Sequence, residues 1–168
     1  MNAREAMPSG TQTHTSRPCV QFKRVLVPLD FSNCSDVALQ YAIEFARQHE
    51  SQLILLHVME LTVYPNVDAF TNQDAISLPK IQNMAETMLK EWKNKRVPPD
   101  VKADIKMYHG QAYLGITDAA RELGVDLIII STHGFTGWKH LSLGSTTERV
   151  VRFSPCAVLT VKIQTTPR

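Results

Sequence analysis

Short apolar runs alternate with amphipathic segments along most of this chain. Residues 25–29 and 53–58 are almost entirely apolar, and between them the apolar side chains of residues 38–45 recur at the spacing of one helix face. The two runs begin about 30 residues apart, the usual length of a β-α-β unit. This part of the chain is therefore predicted to form two parallel strands joined by a helix.

The alternation continues through the second half of the chain. An amphipathic helix is predicted to start near Pro79, and its apolar face consists of Ile81, Met84, Met88 and Trp92. Met84 and Met88 are therefore predicted to pack into the core. The pattern further predicts a half-covered or edge strand at 101–107, a helix at 116–123 closed by Gly124 as a left-handed cap, a central strand at 127–130, a helix at 144–153 and a last strand at 157–161.

These patterns indicate the fold class. Runs that are apolar on both faces are typical of parallel strands covered by helices on each side. The chain is therefore predicted to be α/β, with a doubly wound, Rossmann-like five-stranded parallel sheet and helices on both faces. Residues 1–21 are rich in Ser, Thr, Gln and Pro and have little to bury, so they are predicted to be a mobile N-terminal extension. Residues 22–168 are predicted to form a single domain.

Composition and charge narrow the class of function. The 168 residues are 43% hydrophobic and carry a formal net charge of only +2, which is too weak to indicate nucleic acid or a membrane as partner. No apolar stretch approaches the roughly 18 residues of a membrane span, and the first residues lack the apolar centre of a secretory signal. Cys19, Cys34 and Cys156 are too far apart to suggest a disulfide framework or a zinc site. A cytoplasmic protein is expected.

The residues that follow the strands are the candidates for chemistry, because ligands of such sheets bind beyond the carboxyl ends of the strands. Asp30 follows the first strand, and residues 131–134 follow the fourth. Ser145 and Glu148 fit an S-x-x-E capping box, which predicts a helix capped by Ser145 with its positive end toward the crevice. An acid and a glycine-and-hydroxyl loop at one crevice together favour a nucleotide.

Other signatures are absent or ambiguous. The chain contains no G-x-x-x-x-G-K-[ST], G-x-G-x-x-G or G-x-S-x-G motif. His57 and His133 have no nucleophile and orienting partner visible in the sequence, so no catalytic residue is predicted. Cys34 lies near a predicted helix N-terminus, where two interpretations remain open: a redox-sensing thiol of lowered pKa, or inert burial.

Three segments resemble one known family. Residues 25–32 (VLVPLDFS), residues 55–58 (LLHV) and the segment from Ser131 to Ser145 are similar to the universal stress protein family, and the similarity extends from about 22 to 162. The nucleotide-binding branch of that family carries G-x2-G-x9-G-[ST]. Gly134 and Gly144 with Ser145 match it, whereas Ser131 stands where the first glycine is usual. The Ser131 hydroxyl either crowds the ligand or faces it.

The resemblance implies the strand order 3-2-1-4-5, a homodimer paired through the last strand, residues 157–161, and an ATP site, with AMP or ADP as alternative ligands. By position in the motif, adenine would be surrounded by Pro28, Leu29, Asp30 and Val58. Ribose and phosphate would be bordered by Ile130, Ser131, His133 and Gly134, and the phosphates would be held by Gly144, Ser145, Thr146 and Thr147. Mg²⁺ or Mn²⁺ would bind only through the nucleotide phosphates.

The function expected from these observations is that of an ATP-binding, nucleotide-linked regulatory module in a stress response, acting on signalling partner proteins that the sequence does not name. Nothing resembles a positioned general base, so at most slow ATP hydrolysis is expected. Two alternatives remain open at this point. One is a dimer that binds no nucleotide and works through protein–protein contacts, and the other is a nucleotide hydrolase or phosphotransferase.

Overall fold

The computed structural model describes residues 21–60, 78–134 and 143–162. Strands and helices alternate along these residues in the order β1 Arg24–Pro28, α1 Asn33–His49, β2 Gln52–Met59, α2 Leu78–Arg96, β3 Ala103–His109, α3 Ala112–Glu122, β4 Leu127–Ser131, α4 Ser145–Phe153 and β5 Ala157–Val161. The predicted N-terminal extension lies outside the described residues, apart from residue 21, so the division of the chain at that point stays a prediction.

The five strands form one parallel sheet in the order β3-β2-β1-β4-β5. This confirms both the predicted fold class and the order implied by the family resemblance. β1 is central: Val25 pairs with Leu53 of β2 on one side and with Leu127 of β4 on the other. Because the chain moves outward from β1 in both directions, the strand order reverses between β1 and β4, where such sheets open a crevice.

Two apolar cores cover the two faces of the sheet. The side chains of β1 alternate, as strand geometry requires: Val25 and Val27 join the core beneath α1 and α2, and Leu26 joins the core beneath α3 and α4. All three are fully buried. Helices on both faces are thereby confirmed. Within the described part of the chain, no helix combines the length and the hydropathy needed to cross a membrane.

Two helix ends show why the chain turns where it does. Ser32 caps α1, and its hydroxyl accepts a hydrogen bond from the Ser35 amide at 3.2 Å. Gly124 follows α3 with φ of 57°, a left-handed conformation that glycine adopts without steric cost, which confirms its predicted place as a cap residue.

The apolar face predicted for α2 is confirmed at Trp92 and wrong at Ile81, Met84 and Met88. Met84 and Met88 are 55% and 44% exposed, whereas Leu89 is fully buried and Trp92 packs against the core. Successive residues of a helix are rotated by about 100° around its axis, and the apolar residues of α2 lie on two adjacent strips of its surface. Helical spacing alone does not show which of the two strips faces the sheet. The strip through Leu89 and Trp92 faces the sheet, which leaves the strip through Ile81, Met84 and Met88 exposed.

Candidate functional site

A cavity of about 470 Å³ opens at the carboxyl edge of the sheet, where the strand order reverses. Its volume lies in the range of about 300–1,000 Å³ that is typical of small-molecule sites. All twelve residues predicted from the sequence line it: Pro28, Leu29, Asp30, Val58, Ile130, Ser131, His133, Gly134, Gly144, Ser145, Thr146 and Thr147. The fold therefore brings three distant stretches of the chain together. Their role in binding a ligand remains a prediction.

The turn after β1 holds Asp30 at the cavity wall. The Leu29 amide donates to the Leu56 carbonyl at 2.7 Å, which extends the pairing of β1 with β2 by one residue. Asp30 Oδ1 then accepts hydrogen bonds from the Ser32 amide at 3.1 Å and from the Ser32 hydroxyl at 2.6 Å. One oxygen of the carboxylate is thus anchored in the turn that begins α1.

Gly134 approaches this carboxylate closely. A Cβ atom on Gly134 would lie 2.6 Å from Asp30 Oδ2, a distance that real side chains do not adopt. The loop after β4 and the turn after β1 can therefore meet in this way only with glycine at position 134. The two loops thus lie close together at the cavity wall.

The Ser131 hydroxyl has a partner within the protein, and its role toward a ligand stays a prediction. Ser131 is 6% exposed, and its Oγ donates to the His133 carbonyl at 2.8 Å. Its own carbonyl accepts from the Thr147 hydroxyl, also at 2.8 Å. The serine side chain thus ties the end of β4 to the loop that follows it, and the backbone carbonyl of the same residue ties β4 to the start of α4.

The N-terminus of α4 opens onto the cavity without a side-chain cap. The Gly144 amide donates to the Thr132 carbonyl at 2.8 Å, and the first bond within the helix runs from the Glu148 amide to the Gly144 carbonyl at 2.9 Å. The amides of Ser145, Thr146 and Thr147 precede that bond, so the helix itself offers them no acceptor. Together with the helix dipole they favour an anion.

The predicted capping box is wrong. Gly144 is the N-cap residue, and no side chain accepts a hydrogen bond there. Ser145 is already inside the helix because Gly144, extended at ψ of 145°, makes the turn one residue earlier. The Ser145 hydroxyl is therefore not used as a cap.

The two histidines have structural partners. His57 Nδ1 lies 2.8 Å from the Leu29 carbonyl oxygen, so this nitrogen carries the proton and donates it. His133 Nδ1 lies 3.0 Å from the Thr132 hydroxyl. Across the described residues no group of three or more His, Cys, Asp or Glu side chains could hold a metal ion.

Cys34 lies next to the cavity turn, and its environment favours the inert interpretation. Burial raises the pKa of the Cys34 thiol, and the negative charge of Asp30 raises it further, against a smaller opposing effect of the Ser32 hydrogen bond. The redox-sensing interpretation, which requires a lowered pKa, is therefore not supported. Desolvation and a neighbouring carboxylate both disfavour the charged thiolate.

Sequence reasoning missed several residues of the cavity wall, namely Ser35, Leu56, His57, Met59, Glu60, Ala112 and Ile116. Glu60 directly follows β2, and its Oε1 accepts a hydrogen bond from the Ala112 amide at 2.7 Å at the start of α3. The rule that strand ends carry function already pointed to Glu60. Ile116 gave no such signal, because it occupies an ordinary core position of α3 in the sequence.

Comparison with known proteins shows to which family the chain belongs. Residues 21–162 match the model of the universal stress protein family. The chain belongs to this family. Among curated universal stress proteins, MJ0577 of Methanocaldococcus jannaschii is 32% identical over 156 residues, which cover 85% of this chain and 96% of MJ0577. YxiE of Bacillus subtilis is 29% identical over 147 residues, which cover 84% of this chain and 99% of YxiE.

Solved structures share the fold. The structure of MJ0577 superposes with a TM-score of 0.73 at 31% sequence identity, over 88% of this chain and all of that one. A universal stress protein in complex with cAMP gives a TM-score of 0.63 at 19% identity, over 84% of this chain and 98% of that one. At that identity the likeness shows the universal stress protein fold alone.

Proposed function

We propose that this universal stress protein binds an adenine nucleotide, ATP in the first place, in the cavity at the carboxyl edge of the sheet. The observation that carries the proposal is the contact of Asp30 with Gly134, beside the amides that begin α4. A carboxylate at one wall and an amide-lined rim at another suit the two chemically different ends of a nucleotide.

The base end of the proposed site combines apolar walls with one acid. Pro28, Leu29 and Val58 offer flat apolar surface to a purine ring. A carboxylate only accepts hydrogen bonds at neutral pH, so Asp30 pairs with the 6-amino group of adenine rather than with a 6-oxo group. The preferred base is therefore adenine.

The phosphate end relies on the backbone. No Lys or Arg is among the residues that the structure describes around the cavity. We therefore assign the phosphates to Gly134 and to the amides and hydroxyls of 144–147. Mg²⁺ or Mn²⁺ would neutralise the remaining charge through the phosphate oxygens and water, since the described residues offer no metal cluster.

Two solved structures support the capacity of the fold to bind adenine nucleotides. The universal stress protein bound to cAMP and one from Archaeoglobus fulgidus bound to dAMP both carry adenine nucleotides. Their identities to this chain are 19% and 15%, so they speak for the fold and not for particular residues.

The proposed role is regulation in a stress response, with at most slow hydrolysis. Among the described residues, the cavity wall has four ionisable side chains, Asp30, His57, Glu60 and His133, and all four make hydrogen bonds within the protein, which argues against a general base positioned toward a terminal phosphate. Nucleotide occupancy would instead be sensed by signalling partner proteins in the cytoplasm.

We further propose that the protein is a homodimer paired through β5. The strand lies at one edge of the sheet, and its residues Ala157–Val161 contain no charged side chain. Leu159 is 40% exposed on this strand. An apolar edge strand presents free backbone groups that a second copy can pair.

Isothermal titration of the full chain with ATP, ADP and AMP tests the nucleotide proposal. We expect saturable binding, lowered between about 10-fold and 100-fold by Asp30→Ala because one charge-assisted hydrogen bond is lost. Asp118→Ala is the matched control: it removes a carboxylate that pairs with Arg121 on the surface of α3, away from the cavity. Absence of heat with a folded protein would contradict the proposal and favour action through protein contacts alone.

A further inference from the structure

Phe31 has an unusual backbone conformation beside the proposed base site. Its φ is 62°, and the only other non-glycine residue with positive φ in the described part of the chain is Glu50. Glu50 ends α1 as a left-handed cap, which accounts for its conformation. Phe31 ends no helix. Side chains with a Cβ atom avoid this region, so the surrounding structure must hold Phe31 there.

A stack of rings supplies that support. The Phe31 ring lies between His57, with ring centroids 4.5 Å apart, and Trp92 of α2, with centroids 5.4 Å apart. Both distances fall in the range of favourable ring contacts. The Arg96 guanidinium covers the Trp92 ring at 3.9 Å from its centroid.

The same stack is tied to the turn that carries Asp30. His57 donates from Nδ1 to the Leu29 carbonyl, so the ring that contacts Phe31 also fixes the residue before Asp30. Phe31 packs on the core beneath α1 and α2, whereas Asp30 lines the cavity. The neighbouring residues thus point to different sides of the turn, and holding one ring fixes the direction of the other side chain.

We propose that Phe31, held between His57 and Trp92, is a positioning residue that aims the Asp30 carboxylate at the 6-position of a bound purine. The stack thereby sets the preference of the site for a 6-amino purine over a 6-oxo purine. This inference rests on the proposed function, and it assigns base selectivity to Phe31 and Trp92, which do not line the cavity, acting through His57, which does.

The ratio of ATP affinity to inosine triphosphate affinity measures this selectivity, because the two nucleotides differ at the 6-position. A purely structural defect weakens both equally and leaves the ratio unchanged. We expect a ratio of at least about 10 for the natural chain, the equivalent of one good hydrogen bond. Phe31→Gly tolerates the backbone conformation but lacks the ring, and it should bring the ratio close to 1.

Three further variants identify the stack as the cause. Trp92→Leu removes the outer ring without changing the turn and should lower the ratio several-fold. Phe31→Tyr keeps a ring at position 31 and should therefore show the ratio of the natural chain, unlike Phe31→Gly. Phe45→Leu is the matched control, because Phe45 stacks on His49 within the same core and away from the cavity. It should lower the melting temperature and leave the ratio unchanged. A natural ratio kept by Phe31→Gly or by Trp92→Leu would overturn the inference.

Crystal structures of the nucleotide-free natural chain and of Phe31→Gly separate this inference from the proposed function. If titration detects no nucleotide, the proposed function fails, and the structures still decide the positioning role. We expect the variant to lose the hydrogen bonds from Ser32 to Asp30 Oδ1. An Asp30 carboxylate in the same place in both structures would contradict the positioning role.

Discussion

At the scale of single residues, Gly134 lies close to the Asp30 carboxylate at the cavity wall. Gly134→Ala would place a methyl group 2.6 Å from Asp30 Oδ2, and the carboxylate, at the end of a side chain, can swing away. We expect ATP affinity to fall about 10-fold or more, with a loss of unfolding free energy of only about 0.5 kcal/mol. Titration calorimetry and thermal unfolding measure the two effects. Unchanged affinity would show that the position of Asp30 does not matter.

The Cys34 thiol reports on the charge of Asp30. Because burial and Asp30 raise its pKa, little thiolate is present near neutral pH, and alkylation should be slow and accelerate as the pH rises. Asp30→Asn removes the negative charge, which lowers the pKa and should speed labelling by iodoacetamide.

Mass spectrometry locates the label in this experiment, and Cys156 is the internal control. Burial also raises the pKa of the Cys156 thiol, but the acid that contributes there is Asp126 and not Asp30. The labelling rate of Cys156 should therefore be equal in both proteins. Equal rates at Cys34 would contradict the described environment of the thiol.

At the scale of elements, α2 shows which face carries stability. Leu89→Ala empties a fully buried position and should cost about 2–5 kcal/mol of unfolding free energy. Met84→Gln changes an exposed side chain and should cost about 0.5 kcal/mol or less. Urea unfolding measures both. If Met84→Gln lowered the unfolding free energy as much as Leu89→Ala, the strip through Ile81, Met84 and Met88 would have to be covered in solution.

The elements themselves could largely be predicted from the sequence, because buried parallel strands are apolar on both faces and stand out as continuous runs. Their ends then located Asp30 and Gly134 correctly at one crevice. Helix details could not be predicted in the same way. Spacing did not separate the two strips of α2, and the S-x-x-E motif did not reveal that Gly144 makes the turn before Ser145.

At the scale of the whole molecule, the two edges of the sheet differ in charge. β3 carries Asp104 and Lys106, which discourage pairing with another strand, whereas β5 carries no charged residue. Leu159→Lys should therefore convert a dimer to a monomer in analytical ultracentrifugation. Asp104→Lys, a charge change at the other edge, should leave the dimer intact. A natural chain that sediments as a monomer would contradict pairing through β5.

The strand order illustrates what local patterns leave open. Hydrophobic periodicity predicted five strands and four helices, but the order β3-β2-β1-β4-β5 came from the family resemblance, since pairing between strands depends on contacts far apart in sequence. The ring stack around Phe31 had no sequence signal either. The φ angle of Phe31 and its contacts with His57 and Trp92 arise only when β1, β2 and α2 are assembled.

The central claim is that the cavity holds an adenine nucleotide, and a crystal structure of the full chain grown with saturating ATP and Mg²⁺ tests it most directly. The claim predicts density for the base beside Asp30 and Val58 and for the phosphates along residues 144–147. An empty cavity at saturating ATP, or a nucleotide bound elsewhere on the protein, would contradict it.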